Sequence, residues 1–129
     1  MTQLTSGPTI LVVDDDPDVR STLAEILAEE GYRVMEAASG REALAYLQTS
    51  APPALILLDL MMPDMDGWQF REEQQADPRL AAIPVVVVSA FIDDAEKVAS
   101  LGAIQCLRKP VALDVLLETI ERGSHRVEG

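Results

Sequence analysis

The stretch Ala54 to Gly67, ALILLDLMMPDMDG, decides the fold. Ala54 to Leu58 are apolar and run without alternation into Asp59. A short apolar run of that kind reads as a strand buried on both faces, the kind found in parallel sheets covered by helices. Met62-Pro63 and Asp66-Gly67 then supply loop and turn signals. Asp59 is therefore expected at the carboxyl end of a central strand, the edge where open α/β sheets place their chemistry. A carboxylate at the end of a dry strand needs partners, and the flanking chain offers several.

On the amino-terminal side, Ile10 to Val13 form a second apolar strand that also ends in acid, at Asp14, Asp15 and Asp16. Pro17 suits the first helical position, with Asp16 as its N-cap. The helix that follows carries Val19, Leu23, Ile26 and Leu27 on one face and stops at Gly31. Tyr32 to Glu36 read as a short strand. Ser39 to Glu42 have capping-box spacing and open a helix with Leu44 and Leu47. Thr49 to Pro53 break the chain before Asp59's strand.

On the carboxyl-terminal side, a helix carrying Trp68 and Phe70 ends at Asp77-Pro78. Ile83 to Val88 form a β-branched strand that ends at Ser89-Ala90. A fourth helix is expected from about Asp93 to Leu101, closed by Gly102. Ile104 to Arg108 form the fifth strand and run into Lys109-Pro110. The last helix carries Leu113, Leu116, Leu117 and Ile120, with Arg122 and Gly123 as stop signals.

Strands alternating with helices imply right-handed crossovers and a parallel sheet with helices on both faces. The fold class expected is α/β, a three-layer αβα sandwich with five helices. Its five-stranded parallel sheet takes the order 2-1-3-4-5, the natural choice for such an open sheet. No repeat or linker divides the 129 residues. The expected organisation is a lead-in over 1–8, one domain over 9–122 and a tail over 123–129.

Composition bounds the function. The net charge of −12, from 22 acidic and 10 basic residues, repels phosphate backbones and anionic membranes. That argues against nucleic-acid and membrane partners. The apolar runs are too short to span a bilayer, and MTQLTSGPT lacks a basic leader-like region, so a cytoplasmic, unprocessed chain is expected. Lone Cys106 agrees with a reducing compartment and reads as a small buried hydrophobe.

In that sheet order, strands 1, 3, 4 and 5 are neighbours, so Asp14, Asp15, Asp59, Ser89 and Lys109 converge at one edge. Three such carboxylates repel one another unless a hard divalent cation sits among them, and Mg²⁺ suits an oxygen-only site that leaves room for phosphate. Lys109 is a point charge able to pair with Asp59 and then with an added anion. Ser89 can donate to the same anion. A carboxylate ringed by cation, lysine and hydroxyl is a place to accept a phosphoryl group.

The segments ILVVDDDPDVR, LILLDLMMPDMDG, VVVVSA and LRKP, in this order and spacing, resemble the receiver domain of bacterial two-component response regulators, including the chemotaxis regulators. The match runs from about Thr9 to Arg122. The resemblance implies a flavodoxin-like fold and a phosphorelay role. Asp59 would be the phospho-acceptor, taking its phosphoryl group from a sensor histidine kinase or histidine phosphotransfer protein. Asp14 and Asp15 would be the acidic pair of the Mg²⁺ site, with Asp15 and Asp59 as its more direct ligands and the backbone carbonyl of Met61 as a further one. Ser89 would be the switch hydroxyl and Lys109 the lysine that meets the phosphoryl group. The domain would be no enzyme beyond promoting its own phosphorylation and dephosphorylation. Output would pass to a target protein, or to a homodimer formed on phosphorylation, through the face of the fourth helix, fifth strand and last helix.

Cys106 departs from the family, which usually has Tyr or Phe there, and so removes the ring whose rotation normally follows the switch hydroxyl. Met61 and Phe91 would flank the path of the hydrolytic water. Both are apolar, which predicts a long-lived phospho-Asp59.

Two other readings compete. Asp14-x-Asp16 after a strand resembles the nucleophile motif of haloacid-dehalogenase-like phosphatases, although 129 residues leave no room for a cap domain. A phosphorylation-independent binding module is the other, against which stands the presence of every site residue. Asp64 and Asp66 read as turn residues, with Gly67 permitting a tight turn. Trp68 reads as packing or surface, and His125 as an isolated tail residue. With no effector segment, a stand-alone receiver is expected.

Overall fold

A computed structural model of the chain describes residues 8–62, 65–90 and 101–126. The strands are β1 (Thr9–Val13), β2 (Arg33–Ala37), β3 (Leu55–Leu58), β4 (Val85–Ser89) and β5 (Gln105–Arg108). All pair in parallel, in the order β2-β1-β3-β4-β5. The described helices are α1 (Pro17–Glu29), α2 (Gly40–Thr49), α3 (Gly67–Ala76) and α4 (Leu113–Arg126). The helix expected from about Asp93 lies outside the described residues except for Leu101, a buried turn residue. Among the described residues no helix is long and apolar enough to cross a membrane.

The sheet divides the core in two because alternate strand residues point to opposite faces. Leu11, Val13, Ile56, Leu58, Val85 and Val87 pack with Ala43 and Leu47 of α2 and Phe70 of α3. Ile10, Val12, Leu55, Leu57, Val86 and Val88 pack with Leu27 of α1 and Leu116 and Ile120 of α4. Every residue of β3 and β4 is buried, so the unbroken apolar runs mark strands covered on both sides.

Local chemistry sets the helix starts. Asp16 caps α1 by accepting from the Asp18 and Val19 amides, with Pro17 in the first turn. Gly31, at φ +95°, turns the chain out of α1 at a conformation that side chains resist. At α2 the capping box is modified. Ser39 Oγ accepts from the Glu42 amide, but the Glu42 carboxylate accepts from Ala38 instead of returning to Ser39. The complete capping box belongs to α3. There Asp66 accepts from the Gln69 amide and Gln69 Oε1 accepts from the Asp66 amide. Asp66 is thus an N-cap, a more specific role than the turn residue expected.

Two glycines also differ from expectation. Gly123 does not stop the last helix, which continues to Arg126, past the boundary at 122 and into the expected tail. A Cβ there would lie 2.5 Å from Leu55 Cδ1 and 2.7 Å from Ile104 Cδ1, so the glycine lets α4 lie close against the sheet. Gly67 has no positive φ; it is needed because a Cβ would lie 2.8 Å from Leu60 Cα.

Candidate phospho-acceptor site

The strand register builds the site. Val13 pairs with Leu58, and the hydrogen-bond ladder continues one residue past the strands. The Asp14 amide donates to the Ala37 carbonyl at 3.1 Å, the Asp59 amide to the Val13 carbonyl at 3.0 Å, and the Lys109 amide to the Ser89 carbonyl at 2.9 Å. The main chain at Asp14, Asp59 and Lys109 is therefore held by the sheet. Asp14, Asp59 and Ser89 are buried and Asp15 is exposed. One carboxylate oxygen from each of Asp14, Asp15 and Asp59 lies within 4.8 Å of the others.

Lys109 is the cation among them. Its Nζ donates to Asp14 Oδ2 at 2.8 Å and stands 3.5 Å from Asp59 Oδ2. The closer pairing is thus with Asp14, where a pairing with Asp59 was expected. Asp14 has both oxygens engaged, because Oδ1 accepts from the Asp16 amide at 2.9 Å. Asp59 accepts from the Met61 amide at 3.2 Å. Met61 itself is exposed, whereas Phe91 lies outside the described residues.

Burial, reinforced by the charge of Asp14, holds the Asp59 carboxyl above its ordinary pKa, although Lys109 and the Met61 amide pull the other way. Burial alone would lower the pKa of Lys109. The hydrogen bond to Asp14 and the charges of Asp59 and Asp14 outweigh it, so the ammonium is held above its ordinary value. Two of the three clustered carboxylates, Asp14 and Asp59, share this lysine, and the donor set is all oxygen. That chemistry fits a small hard divalent cation better than a thiolate- or imidazole-seeking metal.

Cys106 pairs with Val87 across β4–β5, is half-buried against the core on the α2–α3 side, and its thiol pKa is raised by burial. Trp68 is partly buried against the same core. The side chain of His125 lies outside the described residues. Sequence reasoning missed two features. Arg20 of α1 donates from Nη1 to the Asp14 carbonyl at 2.8 Å and from Nε to Glu36 Oε1 at 3.2 Å. Arg71 and Gln74 of α3 form a buried polar network on the carbonyls of Leu101, Leu80 and Ile83. The signal for the second was a polar pair on the inward face of an otherwise amphipathic helix.

Comparison with known proteins accords with this geometry. The family model "Response regulator receiver domain" matches residues 10–121. PilH of Pseudomonas aeruginosa is 34% identical over 113 residues, which cover 86% of this chain and 93% of PilH. The chain spans about half the length, or less, of the next curated relatives it matches. Among solved structures, the receiver domain of a signal transduction histidine kinase from Syntrophus aciditrophicus has a TM-score of 0.85 at 33% identity, covering 94% of this chain and 92% of that one. TrrA of Thermotoga maritima, a response regulator solved in complex with Mg²⁺ and BeF, has a TM-score of 0.80 at 29% identity, covering 90% and 98%. The chain belongs to the response regulator receiver domain family.

Proposed function

We propose that the chain accepts a phosphoryl group on Asp59, in a Mg²⁺-dependent reaction, from the phosphohistidine of a histidine kinase or histidine phosphotransfer protein. The observation that carries this reading is the Asp59 carboxylate at the end of β3, with Lys109 at 3.5 Å and Asp14 and Asp15 clustered beside it. A carboxylate oxygen of Asp59 attacks phosphorus, the P–N bond breaks, and the imidazole leaves with the bonding pair. Lys109 is placed to follow the charge that moves onto the transferred oxygens. Ser89, the last residue of β4, supplies the hydroxyl that reads the new phosphoryl group.

Asp15, Asp59 and the Met61 carbonyl would hold the cation, with Asp14 beside them already committed to Lys109 and the Asp16 amide. When bound, Mg²⁺ neutralises charge on the phosphoryl oxygens. TrrA, a similar response regulator solved in complex with Mg²⁺ and BeF, supports the reading. Cys106 stands where the family's switch aromatic would be, so output through β5, α4 and the neighbouring face depends on backbone movement more than on a ring. The domain would work in the cytoplasm.

The test is intact mass after incubation with Mg²⁺ and phosphoramidate, for wild type and Asp59→Asn. One added phosphoryl group in the wild type only, abolished by chelation, is the expected result. No addition to the wild type would leave the phosphorylation-independent binding module as the better reading.

A further inference from the structure

Arg20 lies outside the cluster of side chains that meets the phosphoryl group, yet it is tied to the main chain of that cluster. It sits one helical turn after the α1 N-cap, and its side chain is 18% exposed. Its Nη1 donates to the Asp14 carbonyl at 2.8 Å and its Nε to Glu36 Oε1 at 3.2 Å. Glu36 is a residue of β2, and the next residue, Ala37, accepts the Asp14 amide. Arg20 and the sheet ladder thus hold the two peptide groups on either side of Asp14.

We infer that Arg20 is a positioning residue for the cation site, fixing the Asp14–Asp15 peptide so that the Asp15 carboxylate is pre-aimed at Asp59. The need for such a device is specific. Asp14 is immobilised through both carboxylate oxygens, by the Asp16 amide and Lys109. Asp15 is exposed, and the peptide that precedes it determines where its carboxylate stands. A guanidinium holding that carbonyl makes a charge-assisted bond that a neutral donor would not match. The planar fork also explains why arginine is used, since one group satisfies the Asp14 carbonyl and Glu36 at once. The Arg20–Glu36 pair is partly exposed and contributes little stability of its own. Its value lies in selecting the arginine conformation that reaches Asp14.

The inference rests on the proposed cation site, and the experiment separates the two. Mg²⁺ binding is measured by calorimetry on the full chain for wild type, Arg20→Ala, Arg20→Lys and Glu36→Gln, with melting temperatures in chelator alongside. Partners outside the ligand set typically change metal affinity about 10- to 100-fold. Arg20→Ala is expected to weaken Mg²⁺ binding about ten-fold, Arg20→Lys less, and Glu36→Gln least. The Mg²⁺ concentration for half-maximal phosphorylation should rise with the dissociation constant, while the rate at saturation falls less. Wild type that binds no Mg²⁺ would overturn the proposed function itself. Wild type that binds, with unchanged affinity in Arg20→Ala and Arg20→Lys, would overturn the positioning role alone, whatever happens to the melting temperatures. If Arg20→Ala does not fold, Arg20→Lys and Glu36→Gln decide the matter by the same comparison.

Discussion

Replacing Gly67 with alanine should destabilise the fold by about 2 kcal/mol, because the glycine provides space and not an unusual conformation. A Cβ would stand 2.6 Å from Leu60 Cδ2, 2.8 Å from Leu60 Cα and 3.2 Å from the Asp59 carbonyl oxygen. The Leu60 methyl can rotate away, but the Cα can retreat only if the loop after Asp59 moves with it. Overpacking of this kind costs about 1–3 kcal/mol. Alanine's helix-propensity advantage of about 1 kcal/mol over glycine offsets part of this, and least at the first residue of α3. For 129 residues, a net 2 kcal/mol lowers the melting temperature by about 7 °C. Urea unfolding followed by circular dichroism measures the loss, and the fluorescence of Trp68 reports on the substituted turn. Gly31→Ala is the control. Nothing lies within 4 Å of its Cβ position, so only the strain of φ +95° acts there, and Asp59 should remain undisturbed. A Gly67→Ala protein within about 0.5 kcal/mol of wild type, the range of ordinary surface changes, would refute the reasoning.

Two further outcomes can be checked. Burial, the largest influence, and Asp14 together raise the Asp59 pKa above 3.8, so ionising Asp59 penalises the folded state. Wild type should therefore lose stability as pH rises from 3.8 through the folded-state value. In chelator, Asp59→Asn should be the more stable protein at neutral pH, by a margin that closes below pH 3.8; a margin constant with pH would contradict this. Gln74→Leu should cost about 3 kcal/mol in urea unfolding, because it orphans an Arg71 N–H and the Ile83 carbonyl and leaves the Leu80 carbonyl with the Ile83 amide as its donor. Arg71→Leu, Gln74→Leu together should cost less than the sum of the single changes, since neither then leaves the other unpaired; strict additivity would show that the network is not coupled.

The parts of the molecule legible in the sequence are those in which one residue type has one physical use. Unbroken runs such as Leu55–Leu58 and Val85–Val88 can be buried only between two helical layers, and each leads directly to a site residue. Asp16-Pro17 announces a helix start, and the α1 cap forms as that pair dictates. Glycine is less transparent. Gly31, Gly67 and Gly123 look alike in sequence, but the first serves a left-handed φ, the second a backbone approach and the third a helix lying against Leu55. Arg20 was opaque for another reason: its partners are a carbonyl and a residue on β2, and neither lies at helical spacing from it. The closer pairing of Lys109 with Asp14 was equally hidden, because proximity at the sheet edge does not say which carboxylate has an oxygen to spare.

The partition of the core by the sheet limits how this protein can change. A deletion of one residue inside β1 or β3 would exchange the residues facing α1 and α4 with those facing α2 and α3. The same deletion would withdraw Asp14 or Asp59 by one step from the rim, so the fold cannot lose its packing and keep its site, or the reverse. Exposed segments at the opposite rim, such as Ser50 to Pro52, carry no such constraint, and length changes there leave both cores and the acidic cluster in place. The fold therefore behaves as a fixed mouth on an adjustable base. New recognition can be grafted below without disturbing the acidic cluster above.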